Sequence, residues 1–174
     1  MKAPILIAIG SNLTGPSGAP LDACRSAVEA LAALPAMALV GCSRWYDTEP
    51  VPKSMQPHYV NAVARFAWRA DPLDPAVLLA SLAAIEASAG RRRGEPDAAR
   101  TLDLDIVAIG DLVRDTPDPI LPHPRAHLRR FVLEPLRDVC PEWIHPRLGR
   151  ELASLIDALP AGGTRLLAAD GSDR

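Results

Sequence analysis

Apolar residues along the chain recur in two periods, and the switches between the periods divide it into elements. "PILIAIG" (4–10) is a continuous apolar run ending at Gly10 and reads as a buried strand. A Gly/Pro/Ser-rich loop follows, and Pro20 opens a helix, since the first helical position tolerates proline. Leu21, Cys24, Val28 and Leu31 recur there at helical spacing, and Leu34-Pro35 stops the helix. Residues 37–48 read as a second strand with a bulge at Gly41, and the proline-rich 49–59 as a loop. In the third strand, 60–69, Ala62, Ala64, Phe66 and Trp68 share one face, and Asn61, Val63 and Arg65 the other. Asp74-Pro75 is a cap-and-start pair for a helix with Leu78, Leu82, Ile85 and Ala89 on one stripe and Gly90 past its end. "TLDLDIVAIG" (101–110) is the fourth strand, which Asp111 turns into a short strand around Leu112-Val113. Residues 126–139 begin helically after another proline loop, and 149–159 read as a C-terminal helix.

The order is β-α-β-β-α-β with a C-terminal helical appendage. This predicts an α+β, ferredoxin-like fold: an antiparallel sheet with helices packed on one face. The other face is left to loops, where a ligand can sit. One domain is expected over 1–160, with 161–174 a fraying tail. With 48% hydrophobic and 23% charged residues the chain is ordinary for a globular protein, but with only 4% aromatics Leu, Val, Ile and Ala must fill the core.

One element breaks its own pattern. Aspartate is depleted in strands, yet the fourth carries Asp103 and Asp105 among Leu102, Leu104, Ile106 and Val107. Alternation puts both carboxylates on one face, roughly 6–7 Å apart at the backbone, while Leu102, Leu104 and Ile106 face the core. Such a pair is either a solvated sheet face or a site for hard cations, since neighbouring like charges are unfavourable without one.

Charge adds to this locally. The net charge of −2 gives no global attraction to nucleic acid or membrane, but all basic residues except Lys2 and Lys53 are arginines. Arg91, Arg92 and Arg93 end the second helix, with Glu86 a turn earlier, and Arg100 precedes the fourth strand. A random arginine run is commonly a solvated surface. Beside two carboxylates it matches a polyphosphate carrying Mg²⁺, with carboxylates for metal and guanidinium groups for phosphate oxygens. His123, between two prolines, Arg125 and Arg129 extend the set. Tyr59, Asn61, Phe131 and the backbone from Thr48 to Val51 offer an amide, a stacking face and polar edges suited to a heterocycle. "IGSNL" is a weak phosphate-loop likeness on spacing alone. The isolated Cys24, Cys42 and Cys140 form no CxxC, which argues against a disulfide framework or zinc site and for a reducing cytoplasm. The apolar amino-terminal run is too short for a signal peptide or membrane span.

Taken in order and at their spacing, "AIGSNL", "YDTEP" with "QPHYVNAV", "RTLDLDIV" and "LPHPRAHLRRFVLEPL" resemble the 6-hydroxymethyl-7,8-dihydropterin pyrophosphokinases of folate biosynthesis, from about residue 5 to about 146. The resemblance implies transfer of pyrophosphate from ATP to the pterin hydroxymethyl, with release of AMP and help from two Mg²⁺ ions. It implies that Asp103 and Asp105 hold the metals. It places Arg91, Arg93, Arg100, His123 and Arg129 on the ATP phosphates, with Glu86 and Ile106 beside the nucleotide. Arg91, Arg93 and Arg100 join the aspartates as the catalytic set. Gly10, Thr48, Glu49, Val51, Tyr59, Asn61 and Phe131 enclose the pterin, with Ser11 and Asn12 shaping the floor. A cytoplasmic monomer without nucleic acid or membrane partners is expected. The loop "GEPDAAR" departs from the family, which often has an aromatic with Gly-Pro there, and Ala83 stands where some members have glutamine. Two rivals remain at this point, an RNA-binding sheet and a non-catalytic regulatory domain. The first lacks sheet aromatics on the fourth strand, and the second has no need of converging Arg, Asp and His.

Overall fold

The computed structural model describes residues 3–70, 72–92 and 98–167. Its elements are β1 (Pro4–Ser11), α1 (Pro20–Ala32), β2 (Met37–Cys42), β3 (Tyr46–Thr48), β4 (Tyr59–Trp68), α2 (Pro75–Ser88), β5 (Asp103–Ile109), α3 (Arg130–Val139), α4 (Leu152–Asp157) and β6 (Thr164–Leu166). The strands form one antiparallel sheet in the order β5-β1-β4-β3-β6, with β2 also pairing β4. The strands joined through α1 have β4 between them, and those joined through α2 have β1 between them, which is the split-βαβ order.

Local chemistry accounts for the boundaries. The Asp74 carboxylate accepts the Ala76 N–H at 2.8 Å and caps α2. Gly90 ends that helix at φ +80°, where an added Cβ would also stand 2.6 Å from Pro16. The expected second strand is two. Ser43 separates them: its N–H donates to the Val63 carbonyl at 2.9 Å, while its hydroxyl accepts the Val63 N–H at 3.0 Å. A side chain there takes the place of a main-chain ladder partner. The expected bulge is present, as a register shift between Leu39 and Gly41.

Alternation sends Ile5, Ile7 and Ile9 of β1, Ala64 and Phe66 of β4, and Leu104 and Ile106 of β5 to one face, where α1 and α2 cover them. Phe66 has no exposed surface. Leu6, Val63, Val107 and Ala108 belong to the other face, and α3 and α4 pack there through Val132, Leu133, Leu136, Leu152 and Leu155. Helices therefore lie on both faces, not on one. The reason is that half of the second face is itself apolar and must be buried. A second bulge adds to it: Leu6 faces Ala108 while Ile7 faces Ile106, so Val107 is an extra residue and two neighbours enter the second core. The end of this face near Gly10, Asn61 and Asp103 borders a cavity.

Three other expectations change. No strand forms at Leu112-Val113; the pairing shifts to an isolated bridge between Arg114 and Leu121. The helix expected over 149–159 spans only Leu152–Asp157. Part of the expected tail is ordered, because 164–166 pair with β3 from Thr48↔Thr164 to Tyr46↔Leu166. Residues 168–174 lie outside the described set. Cys24, Cys42 and Cys140 are free thiols.

Candidate active site

The open end of the second face is built on one cross-strand row. Gly10 pairs with Asp103 on one side and with Asn61 on the other. The next row along β1 places Ala8 between Asp105 and Val63. Two small residues thus form a floor, with carboxylates at one side and a buried amide at the other. Gly10 is demanded by proximity: a Cβ there would lie 2.7 Å from Asn61 Oδ1. A cavity over this floor is lined by Gly10, Thr48, Glu49, Val51, Tyr59, Asn61, Arg100, Asp103, Asp105, Arg129 and Phe131, which joins most of the residues expected from the sequence.

The carboxylate side is dense with charge. Asp103 accepts from Arg91 Nη1 at 2.7 Å on one oxygen and from Arg100 Nη1 at 2.8 Å on the other. Asp105 is held more loosely, 3.8 Å from His123 Nε2 and 3.7 Å from Arg129 Nη1. Burial, together with the nearby Asp103 charge, pushes the Asp105 carboxyl above the usual range, against the pull of His123, Arg129 and Arg100. Burial also pushes Glu86 up; it lies under the site, accepting the Leu104 N–H at 2.6 Å and a hydrogen bond from Arg91. Burial alone would lower the Arg100 guanidinium, but the adjoining Asp103 outweighs it and holds it up. His123 is fixed by its own backbone, whose N–H donates to the Val107 carbonyl at 2.9 Å. Its Nδ1 accepts the Arg125 N–H at 3.1 Å, which leaves Nε2 as the ring's donor toward Asp105. Burial lowers its pKa, favouring the neutral ring despite that carboxylate.

On the other side, Asn61 Nδ2 donates to Thr48 Oγ1 at 2.6 Å, and both residues are buried. The Arg129 guanidinium sits 5.5 Å from the centre of the Phe131 ring, so one short segment at the start of α3 serves both sides. Val51 is exposed on the rim.

Some expected residues stand apart from the cavity. Ile106 is buried in the core on the opposite face; β5 is an edge strand, so its outer backbone, not this side chain, could meet a nucleotide. Glu86 acts behind Arg91. Arg93 lies outside the described residues. Sequence reasoning missed Ala8, Ile9, Pro52 and Val132 on the cavity wall. It also placed Asn12 on the floor, whereas Asn12 is a clamp. Asn12 Oδ1 accepts the Arg100 N–H at 2.7 Å, and Asn12 Nδ2 donates to the Pro57 carbonyl at 3.1 Å. It thereby joins the phosphate-side loop to the loop before Tyr59.

The donor set suits a hard cation. Two carboxylates share a face and Asp105 has no close hydrogen bond among the described contacts. Among the described residues no group of three or more His, Cys, Asp or Glu could hold a metal ion unaided. A pair of carboxylates is the protein share Mg²⁺ takes where phosphate and water complete its shell.

An edge strand with paired carboxylates, guanidinium groups beside them and an adjoining slot is the arrangement of an enzyme that acts on a phosphorylated substrate. Comparison with known proteins makes this specific. Residues 6–141 match the 7,8-dihydro-6-hydroxymethylpterin-pyrophosphokinase (HPPK) family, and the chain belongs to that family. The 2-amino-4-hydroxy-6-hydroxymethyldihydropteridine pyrophosphokinase of Pseudomonas aeruginosa is 38% identical over 163 residues, covering 94% of this chain and 96% of its own. The enzyme of the same name from Synechocystis is 34% identical, over 87% of this chain and 74% of its own. The folic acid synthesis protein fol1 of Schizosaccharomyces pombe is 31% identical over 92% of this chain, which spans 21% of that longer protein. Among solved structures, the wild-type HPPK-DHPS of Plasmodium falciparum superposes with a TM-score of 0.64 at 11% identity, over 90% of this chain and 44% of that one. At that identity the likeness supports the fold alone.

Proposed function

We propose that this chain transfers the pyrophosphoryl group of ATP to the hydroxymethyl group of 6-hydroxymethyl-7,8-dihydropterin, releasing AMP, with Asp103 and Asp105 holding two Mg²⁺ ions. The observation that carries the reading is the row Asp103–Gly10–Asn61, in which the carboxylate side and the buried-amide side of the cavity adjoin across a residue with no side chain. Bound there, the cations would neutralise phosphate charge and make the attacking hydroxyl more acidic.

The chain's own residues do the rest by position. Arg91 and Arg100 already converge on Asp103, and phosphate oxygens entering there offer them new acceptors. Arg129 and His123 add donors on the Asp105 side. Glu86 orients Arg91 and anchors the start of β5. Phe131 supplies a stacking face, while Asn61, Thr48, the Glu49–Val51 backbone and Tyr59 close around the ring. Arg93 is assigned to the phosphates by family resemblance. Phosphoryl transfer needs mainly alignment and charge stabilisation, which this arrangement supplies. The protein acts as a cytoplasmic monomer on two small molecules. No helix among the described residues is long and apolar enough to cross a membrane.

The test is incubation with ATP, Mg²⁺ and the pterin alcohol, followed by nucleotide chromatography. AMP formation that depends on the pterin supports the reading; ADP, or no turnover, contradicts it.

A further inference from the structure

The segment after α4 folds back onto the strand and loop that hold the heterocycle slot. Thr164 pairs with Thr48, and the Glu49 N–H donates to the Gly163 carbonyl at 3.0 Å. Farther along, Arg165 Nη2 bonds Asp47 Oδ2 at 3.0 Å. The returning turn requires Gly162 and Gly163, at φ +97° and +75°. A second cavity of about 440 Å³ lies between the Glu49–Val51 loop, the start of α3 and the 159–164 return. The loop meets that return through the backbone ties to 163 and 164.

Those ties trace to one side chain. Arg130 is largely buried, and each of its guanidinium nitrogens is engaged. Nε donates to the Pro160 carbonyl at 2.8 Å, Nη2 to those of Leu159 at 3.0 Å and Ile156 at 3.1 Å, and Nη1 to Glu134 at 2.5 Å. These carbonyls close the end of α4, where a helix leaves acceptors unpaired. Arg130 stands between Arg129 and Phe131, so one residue links the carboxy-terminal return to the part of α3 that borders the site.

Resting on the reading above, we propose that residues 160–167 form a strap that sets the geometry of the substrate edge at Thr48–Val51, with Arg130 its anchor and a positioning residue for the pterin. The strap pairs with β3 at Thr48 and takes the Glu49 N–H, on the heterocycle side of the cavity. Loosening them weakens pterin binding selectively.

Two variants of the full chain test this independently. Arg130→Gln removes the fan of hydrogen bonds. A Cβ added at Gly163 meets nothing within 4 Å, so the effect of Gly163→Ala runs through the backbone conformation alone. Each is compared with Arg130→Lys, which keeps the charge but not the planar fork. The readouts are thermal unfolding, titration with a non-hydrolysable ATP analogue, and titration with the pterin in the presence of that analogue. Expected for both variants is a pterin Kd raised about tenfold, the scale of one lost charge-assisted hydrogen bond, with nucleotide Kd within about twofold. Arg130→Lys falls between wild type and Arg130→Gln. Equal loss of both ligands along with a lower Tm makes Arg130 merely structural and overturns the proposal, as does unchanged pterin affinity. If wild type neither binds the pterin nor releases AMP, the proposed function itself fails and takes the strap's role with it.

Discussion

Gly10→Ala offers a sharp perturbation because a single methyl tests the slot. The added Cβ would stand 2.7 Å from Asn61 Oδ1, closer than real Cβ contacts come. The nearest backbone is not what blocks it; the end of the Asn61 side chain is, and that end can swing. Swinging breaks the 2.6 Å bond from Asn61 Nδ2 to Thr48 Oγ1 and leaves buried polar atoms without partners. A lost buried hydrogen bond with a stranded group costs about 1–3 kcal/mol. Expressed in pterin affinity, that is roughly a tenfold to hundredfold rise in Kd. Folding stability should change less, because replacing glycine reduces the freedom of the unfolded chain by about 0.4–1 kcal/mol and offsets part of the crowding. The assay is fluorescence titration of the pterin, with ATP-analogue affinity and Tm measured in parallel. A double-mutant cycle with Asn61→Ala completes it: once Asn61 is truncated, the methyl added at position 10 has room and its penalty should largely vanish. Unchanged pterin affinity in Gly10→Ala, or a penalty that persists in the Asn61→Ala background, refutes the reasoning.

Two further predictions concern the scaffold. Phe66→Ala, at a residue without exposed surface, should cost about 3–5 kcal/mol in a urea unfolding curve, because it empties the core under α1 and α2; a loss below about 1 kcal/mol would show that this core re-closes. At Asp138, burial raises the pKa, but hydrogen bonds from Arg44 and the Tyr46 hydroxyl outweigh it and hold the carboxyl below its ordinary value of 3.8. A lowered folded-state pKa contributes stability above the unfolded value and loses it as pH falls through the folded one. Asp138→Asn should therefore lower Tm at neutral pH and converge with wild type well below about pH 3.8; a pH-independent difference would contradict the assignment.

What the sequence disclosed follows from which forces are local. Strand alternation was visible in "RTLDLDIV", and the structure sends Leu104 and Ile106 to the core and Asp103 and Asp105 to the cavity. The start of α2 was visible because Asp74-Pro75 is a complete local signal. Distant contacts were not visible. Nothing around Ser43 marks it as a substitute ladder partner for Val63, 20 residues away, so β2 and β3 read as one strand. Val107 reads as ordinary alternation until β1 is beside it and the bulge becomes necessary. The second helical layer was hidden because the apolar half-face formed by Leu6, Val63 and Val107 assembles from three separated strands. Asn12 looked like floor for the same reason: its partners are the Arg100 and Pro57 backbones, which only the fold brings near. The pairing of 164–166 with β3 follows the Gly162-Gly163 turn, and no apolar pattern of its own announces it.

On the proposed function, the two aspartates of β5 organise a pyrophosphoryl transfer beside the slot built on Gly10 and Asn61. Its most direct test is product analysis by ³¹P NMR of wild type, Asp103→Ala and Asp105→Ala with ATP, Mg²⁺ and the pterin alcohol, with Mn²⁺ affinity measured by electron paramagnetic resonance in the presence of the ATP analogue. Wild type should give AMP and pterin diphosphate. In each variant turnover should fall by at least about a hundredfold, a scale typical of lost transition-state charge stabilisation, with weakened Mn²⁺ binding and an unchanged fold. ADP as the wild-type product, or near-normal turnover and Mn²⁺ affinity in both variants, would contradict the proposed function.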